Sequence, residues 1–455
     1  MGRVVLFLAG LVAVVAVWGL LVLPDQPTLG FGLAVLSVVM ILAAPGRQRA
    51  PARAADRTRV ITRRGLMLGG VALLVGGVAA LRRHELWRVA VPPTRAPTAT
   101  PASRQPRPTR RPAGPGIWLS ADELDALPTE TEAFQRLEER ASRDIRLEDI
   151  SNQDSRTPLH LMEVALVAAR RDDPGLRAIA RDAIVAGIGT EDGDTGGHRE
   201  RNRPLGIGRN LPGYVIAADL IGLGSFDRSA NDRFRSWLDQ LRTKNVEGAE
   251  WTLAEIEPLD HSNWGAHMSA AITAANLYLE DETAIRASAD ILRGWLGDPD
   301  GRQDWEYDTD RHDYSWMCHY PDVDRFVPVN PAGCEREGMA IGGVIPIDMQ
   351  RGGGFRVPPK YTQYPRESLQ GRTVQAELLY RAGYDTWTWG ERALLRIAER
   401  QLAMAEEFDR DWYEPRMGCY WIISRRTGVE LPLEEPSTGR SVSGVDWTHA
   451  PKGDG

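Results

Sequence analysis

Asp260-His261-Ser262-Asn263-Trp264-Gly265-Ala266-His267 places two imidazoles, an amide, a carboxylate and an indole within eight residues, and an apolar run, 268–279, follows directly. If a helix begins near Asp260, Asn263 and His267 lie four apart on one face, with His261 and Trp264 three apart on a neighbouring one. Polar groups are costly at a buried helix start, so such a collection points to a site. The competing reading makes Asp260 or Ser262 an N-cap and the histidines satisfied structural groups.

Outward from this stretch the periodicity is helical. Segments 158–171, 176–188, 214–223, 231–241, 267–279, 283–296, 367–382 and 388–408 each read as a helix, with Pro158 near a first turn. One or two more fall within 122–143, after Ser120. Strand-like alternation is sparse until Cys419-Tyr420-Trp421-Ile422-Ile423. Helices in pairs joined by short loops predict an all-α layered bundle or toroid. Residues 297–365 are irregular and rich in Trp, Tyr, Gly, Pro, His and Asp; a stretch of that length in a compact domain is commonly a lid or a site wall.

Charge divides the chain. Residues 1–116 hold 16 basic and 3 acidic side chains, leaving 39 basic and 59 acidic in 117–455, so the overall −7 combines a basic anchor with an acidic globule. An acidic globule argues against nucleic acid as a partner. Residues 1–90 read as a membrane anchor. The apolar run 4–23 has the length of a bilayer-spanning helix, and 29–44 and 65–81 supply two further expected transmembrane helices. Seven arginines between the second and third runs place that stretch in the cytoplasm and send the third helix outward. Thr62-Arg63-Arg64-Gly65-Leu66 also looks like an internal twin-arginine export signal, which delivers the globule to the same side. The expected location is therefore a multi-pass cell-membrane protein with its globule, 117–455, outside the cytoplasm. Between the two, 91–116 contains eight prolines and reads as an extended linker. With the globule outside, Cys318 and Cys334 could pair, leaving Cys419 over.

Three segments gather most of the polar and aromatic candidates: the opening one, His312 to Tyr320 in the irregular region, and Tyr361 to Arg372, which enters a helix. Arg209-Asn210-Leu211-Pro212-Gly213-Tyr214 is a fourth piece. In order and span, 120–450 resembles the alginate-lyase domain of polysaccharide lyases. Leu127-Pro128 with Phe134 and Leu137 looks like that family's opening helix, and Tyr214 to Leu220 like a later turn. Asp260-His261-Ser262-Asn263-Trp264 is similar to its Asn-Asn-His-x-Tyr-Trp signature, and Pro365-Arg366-Glu367 with Gly371 and Arg372 looks like its Pro-x-Glu segment. The resemblance implies an α/α toroid (an incomplete barrel of helical hairpins), cleavage of a uronate-containing, alginate-like polymer by β-elimination, and no cofactor. In that register His261 falls on the family's catalytic His, but Asp260 replaces an Asn, Gln370 stands at the catalytic Arg and Glu377 at the catalytic Tyr.

Elimination beside a uronate carboxylate needs a group that neutralises the carboxylate, a base for the adjacent proton, and an acid for the departing glycosidic oxygen. Asn263 is the candidate neutraliser, with Arg372 or Arg366 in support; His261 is the candidate base; Tyr364 or Tyr361 is the candidate acid. Asp260, Trp264, His267, Asn210, Trp316, His319, Tyr361 and Arg366 are candidate substrate contacts. Trp264 and Trp316 equally suit a core, Tyr364 a packing place beside Pro365, Arg372 a surface ion pair and His267 a structural place facing the next helix. Arg351, Arg356, Lys360, Arg366 and Arg372 form a local positive run suited to an acidic polysaccharide. Glu191 to Gly197 lacks the bidentate Glu of a calcium loop and reads as a turn; no metal is expected. There is no Walker A loop, HExxH pair or Gly-x-Ser-x-Gly elbow. Two rivals stand beside the lyase. One is a glycoside hydrolase using Asp260 with Asp313, Glu367 or Asp348, at roughly 5–10 Å separation. The other is a catalytically inactive glycan-binding domain.

Overall fold

The computed structural model describes residues 116–305, 312–321 and 326–451. The described residues belong to one compact unit. The three expected transmembrane helices and most of the proline-rich linker lie outside the described residues, among which no helix is long and apolar enough to cross a membrane.

Helices dominate the described residues: α1 (Ala121–Ala126), α2 (Glu132–Ala141), α3 (Thr157–Arg171), α4 (Pro174–Gly187), α5 (Arg203–Leu220), α6 (Leu223–Phe226), α7 (Arg228–Thr243), α8 (Leu253–Leu259), α9 (Asn263–Leu279), α10 (Glu282–Trp295), α11 (Pro346–Met349), α12 (Tyr364–Arg381), α13 (Trp389–Glu407), α14 (Gly418–Thr427) and α15 (Val445–Thr448). A two-residue hairpin, β1 (Glu335–Arg336) with β2 (Met339–Ala340), supplies the strands. The all-α expectation therefore holds. Cys419 to Ile423, whose alternation suggested a strand, is instead inside α14, where Cys419 to Ser424 are all buried. A short apolar run that is buried all round carries no periodicity to separate strand from helix.

The helices sort by burial. Along α5, α9 and α12 most residues are buried on every side, which requires neighbours all round. The chain of contacts runs from α3 to α5, from α5 to α9, from α9 to α12, and from α12 to α14, with α4, α7, α10 and α13 packed against these.

Helix α9 is the centre. Ser262 caps its start, its Oγ accepting from Trp264 N at 3.3 Å, and Glu280 ends it in the left-handed region at φ 59°. Small residues let its neighbours approach to backbone distance. A Cβ on Gly371 of α12 would lie 2.5 Å from the carbonyl carbon of Ala266, and one on Gly208 of α5 would lie 2.8 Å from Met268 Sδ. Both contacts fall at the same turn of α9. Gly371 meets Ala266, Arg372 meets Ser269, and Gln375 meets Thr273, so α9 and α12 run parallel with their N-termini at one end.

The irregular region carries a small core of its own. Trp316, Cys334, Met339, Ile341, Val344 and Met349 pack with Met404 and Trp412. Cys318 and Cys334 form a disulfide, while Cys419 is a buried free thiol. The wholly buried Asn330 ties the loop together, donating to the carbonyls of Trp316 and Ile341 and accepting from Cys318 N.

Gly371→Ala forces a methyl into the α9 backbone and is expected to destabilise the domain by about 1–3 kcal/mol in denaturant unfolding. Gly224→Ala, whose methyl meets nothing closer than 3.6 Å, leaves the midpoint nearly unchanged.

Candidate functional site

The turn between α8 and α9 sets the site's first residues. Asp260 closes α8, and its Oδ1 accepts from both Ser262 N at 2.8 Å and Ser262 Oγ at 2.6 Å. Gly265 leaves room for the Asp260 carbonyl, which a Cβ there would meet at 1.5 Å. His261 thus lies ahead of α9 rather than on it, and the three-residue helical spacing expected between His261 and Trp264 does not form. Asn263 and His267 are within α9, four apart on one face.

His261 is buried, 8% exposed. Its carbonyl accepts from Trp295 Nε1 at 3.0 Å; its ring lies 4.1 Å from the Phe326 ring centroid and edge-on to Trp305. Among the described residues neither ring nitrogen makes a hydrogen bond of good geometry, and the Leu259 carbonyl is the backbone acceptor near the ring. Burial lowers the His261 pKa to about 4, opposed by the Asp260 carboxylate and a hydrogen bond to the Leu259 carbonyl and helped by the nearby His312 and Arg372. The imidazole is therefore neutral at physiological pH with a lone pair. Buried polar groups without well-formed hydrogen bonds are uncommon, and one such residue calls for an explanation.

Beside it, α12 presents Tyr364, Ser368 and Arg372 four residues apart on one face. Asp348 of α11 links that face to α9: one carboxylate oxygen accepts from Asn263 N at 3.2 Å and the other from the Ser368 hydroxyl. Burial pushes Asp348 up to about 7, against the pull of those two bonds. The Asn263 side chain makes no hydrogen bond among the described residues. Arg372 is wholly buried: Nη1 donates to Ser269 Oγ and Gln375 Oε1, both at 2.9 Å, and the guanidinium lies 4.7 Å from the Trp295 ring. Among the described residues its Nε and Nη2 have no hydrogen-bond partner. Burial draws Arg372 down to about 10, opposed by Glu257, Asp260 and Asp348. The surface ion pair that Arg372 could have made is not what forms. Tyr364 is half-buried, with the Arg351 guanidinium 4.5 Å over its ring and Nη2 at 3.4 Å from its hydroxyl.

The remaining candidates sort into other surroundings. His267 is wholly buried, its Nε2 3.3 Å from Glu367, which pairs with Arg209 at 2.6 Å. Burial alone would raise Glu367, but the His267 bond and the Arg209 charge hold it at about 2. Asn210 donates to the carbonyls of Ile150 and Asn152, holding the loop before α3. Trp316 is in the irregular region's own core, donating to the Gly353 carbonyl. Tyr361 packs on Trp412 and accepts from Arg366 at 2.6 Å. His319 is exposed on the disulfide-linked loop, and Trp264 is half-exposed in the first turn of α9. Gln370 accepts from Arg440 N, and Glu377 is wholly buried among Arg381, Arg426 and His449. Those partners hold the Glu377 carboxyl well below the usual range despite its burial.

Proximity thus joins His261, Asn263 and Arg372, with Tyr364 on the same α12 face; Asp348, considered above only as a hydrolase acid, and Ser368 complete the group. Two cavities open elsewhere. One of about 550 Å³ is lined by Glu257, Asn276, Asp290 and Arg302, and one of about 400 Å³ by Glu123, Arg381, Arg426 and His449. No group of His, Cys, Asp or Glu among the described residues could hold a metal ion. Compared with known proteins, the chain matches no family model, no curated protein and no solved structure.

The depressed His261 pKa sets a sign for stability. Between pH 4 and the ordinary 6.5 the unfolded imidazole binds a proton that the folded one does not, so this group's contribution rises with pH across that window. Glu257 and Asp348, both raised to about 7, contribute the opposite slope, so the variant difference is the clean measurement. The unfolding free energy of the wild type minus that of His261→Phe is expected to increase with pH from 4 to 6.5, by at most about 1.4 kcal/mol per unit, and to be flat above.

Proposed function

We propose that the described domain is the catalytic part of a membrane-anchored polysaccharide lyase, exposed outside the cytoplasm, that cleaves a uronate-containing polymer by β-elimination. The observation that carries this reading is the buried His261 imidazole, held neutral by its surroundings, beside Asn263 and the buried Arg372 charge. Elimination needs a base that is unprotonated at working pH, and a neutral imidazole has the required lone pair. The serial packing of buried helices inside amphipathic ones suits the α/α toroid that the resemblance implies.

In this mechanism the Asn263 amide binds the uronate carboxylate, and the Arg372 charge beneath favours the developing enolate. His261 removes the proton next to the carboxylate. The C–H electron pair becomes the new ring double bond, and the glycosidic C–O bond breaks with its electrons on oxygen. Tyr364 protonates that oxygen and is then reprotonated by solvent. Arg351, over the Tyr364 ring, and Arg366, in the first turn of α12, supply positive charge toward an acidic chain.

The hydrolase reading is favoured by one observation, a carboxyl of Asp348 held near 7 close to the charge of Asp260. It ranks second because both Asp348 oxygens are already engaged by Asn263 and Ser368 and the residue is wholly buried. A glycan-binding domain without catalysis leaves the neutral buried imidazole unexplained.

Full-length protein in detergent, incubated with polymannuronate, polyguluronate and polygalacturonate, is expected to generate the near-ultraviolet absorbance of an unsaturated uronate. His261→Ala and Tyr364→Phe should each lower that rate by about 10²–10⁴-fold. New reducing ends without the absorbance would establish the hydrolase instead, and neither product from any polymer would remove the enzymatic reading.

A further inference from the structure

One short segment touches both Asn263 and the Tyr364–Ser368 face of α12. It comprises α11 and the 3-10 turn Gln350–Gly352 that follows. Asp348 accepts from Asn263 N and from Ser368 Oγ. Gln350 accepts from Asp313 N at 2.7 Å, with its Nε2 3.1 Å from His312 Nδ1. Arg351 covers Tyr364.

Asp348 joins the start of α9 to a second helix, α12. Helix α9 already has a cap in Ser262, whose hydroxyl takes the Trp264 amide. A second acceptor, brought from 85 residues away and wholly buried, takes the first backbone amide of α9, that of Asn263. Its other oxygen fixes Ser368, one turn from Tyr364 on one side and one turn from Arg372 on the other. Burying a carboxyl is costly, and that cost is evident in its raised pKa. An apolar side chain would pack the same place without the penalty but would leave the Asn263 amide and the Ser368 hydroxyl unpaired.

We propose that Asp348 is the positioning residue of this site: by holding Asn263 N and Ser368 Oγ at once, it fixes the carboxylate-binding amide relative to the α12 face that carries Tyr364. This rests on the elimination reading for its kinetic consequence but not for its structural one. Asp348→Asn keeps a neutral acceptor for Asn263 N, and the Ser368 hydroxyl can rotate to suit the amide. Asp348→Ala removes both bonds. A residue that only stabilised the fold would lower the amount of active protein and leave the kinetic constants of the folded fraction alone.

The test uses full-length wild type, Asp348→Ala, Asp348→Asn and, as a control for the charge change, Asp290→Asn. Two readouts are taken: kcat and KM on the uronate polymers above, and hydrogen exchange of the peptide containing Asn263. Asp348→Ala is expected to lower kcat by about 10–100-fold with KM changed by less than about threefold, and to speed exchange at residues 261–266 while distant helices stay protected. Asp348→Asn should recover most of both, and Asp290→Asn should match wild type. If Asp348→Ala does not fold, Ser368→Ala, which removes only one of the two bonds, takes its place with the same expected direction. Unchanged kcat in a polymer-cleaving protein overturns the proposal, as does faster exchange spread over the whole domain. If the wild type cleaves no polymer, the elimination reading fails. The exchange readout then decides alone: local loosening by Asp348→Ala, reversed by Asp348→Asn, upholds the positioning role, and unchanged protection overturns it.

Discussion

The structure depends on how closely two helices approach α9. Gly208 and Gly371 bring α5 and α12 against the same turn, at Ala266, His267 and Met268, at distances that exclude a Cβ on either glycine. Interiors packed this closely transmit any added volume as strain, so the crossing fixes where the faces of α9 and α12 meet. The parallel alignment of these helices follows from the contacts it enforces, and it brings both N-termini, with Asn263 and Tyr364, to the same end.

Close helices leave little room for water, so polar side chains at the crossings must satisfy one another. On one side of α9, His267, Glu367 and Arg209 form a chain across three helices, and Glu367 stays ionised because a cation and an imidazole face it. Deeper between α9 and α12 the balance differs. Arg372 is wholly buried with Glu257 and Asp348 nearby, both pushed up to about 7 by burial. Unshielded charge in such surroundings is costly, and titration of the neighbours is the usual relief. His261, close to this cation and enclosed by aromatic rings, cannot hold a proton at neutral pH.

Much of the helical order was legible beforehand because amphipathic spacing survives wherever one helix face meets solvent. The segments expected at 158–171, 283–296 and 388–408 fall within about two residues of the observed helices, the usual uncertainty of helix ends. Helix α5 was recognised only in its second half. Its first half carries Arg203, Arg209 and Asn210 on a buried face, where the expected contrast between polar and apolar sides disappears. For the same reason α14 read as a strand. At the site, His261 and Asn263 stood out through local density of polar residues, whereas Ser368 did not, since a serine inside a helical run carries no signal until its partner is known.

The sequence by itself determined the uneven charge, the helical class and the gathering of His261 and Asn263 ahead of an apolar helix, because each depends on residues within a few positions of one another. It left the N-cap of α9 open between Asp260 and Ser262. Tertiary structure decided which polar residues became neighbours. It placed Arg372 beneath the site instead of on the surface, enclosed Glu377 in an ion-pair network, drew His267 toward Arg209 and Glu367, and brought Asp348 across 85 residues to Asn263. Those outcomes depend on desolvation and on contacts between distant segments, which local spacing does not encode.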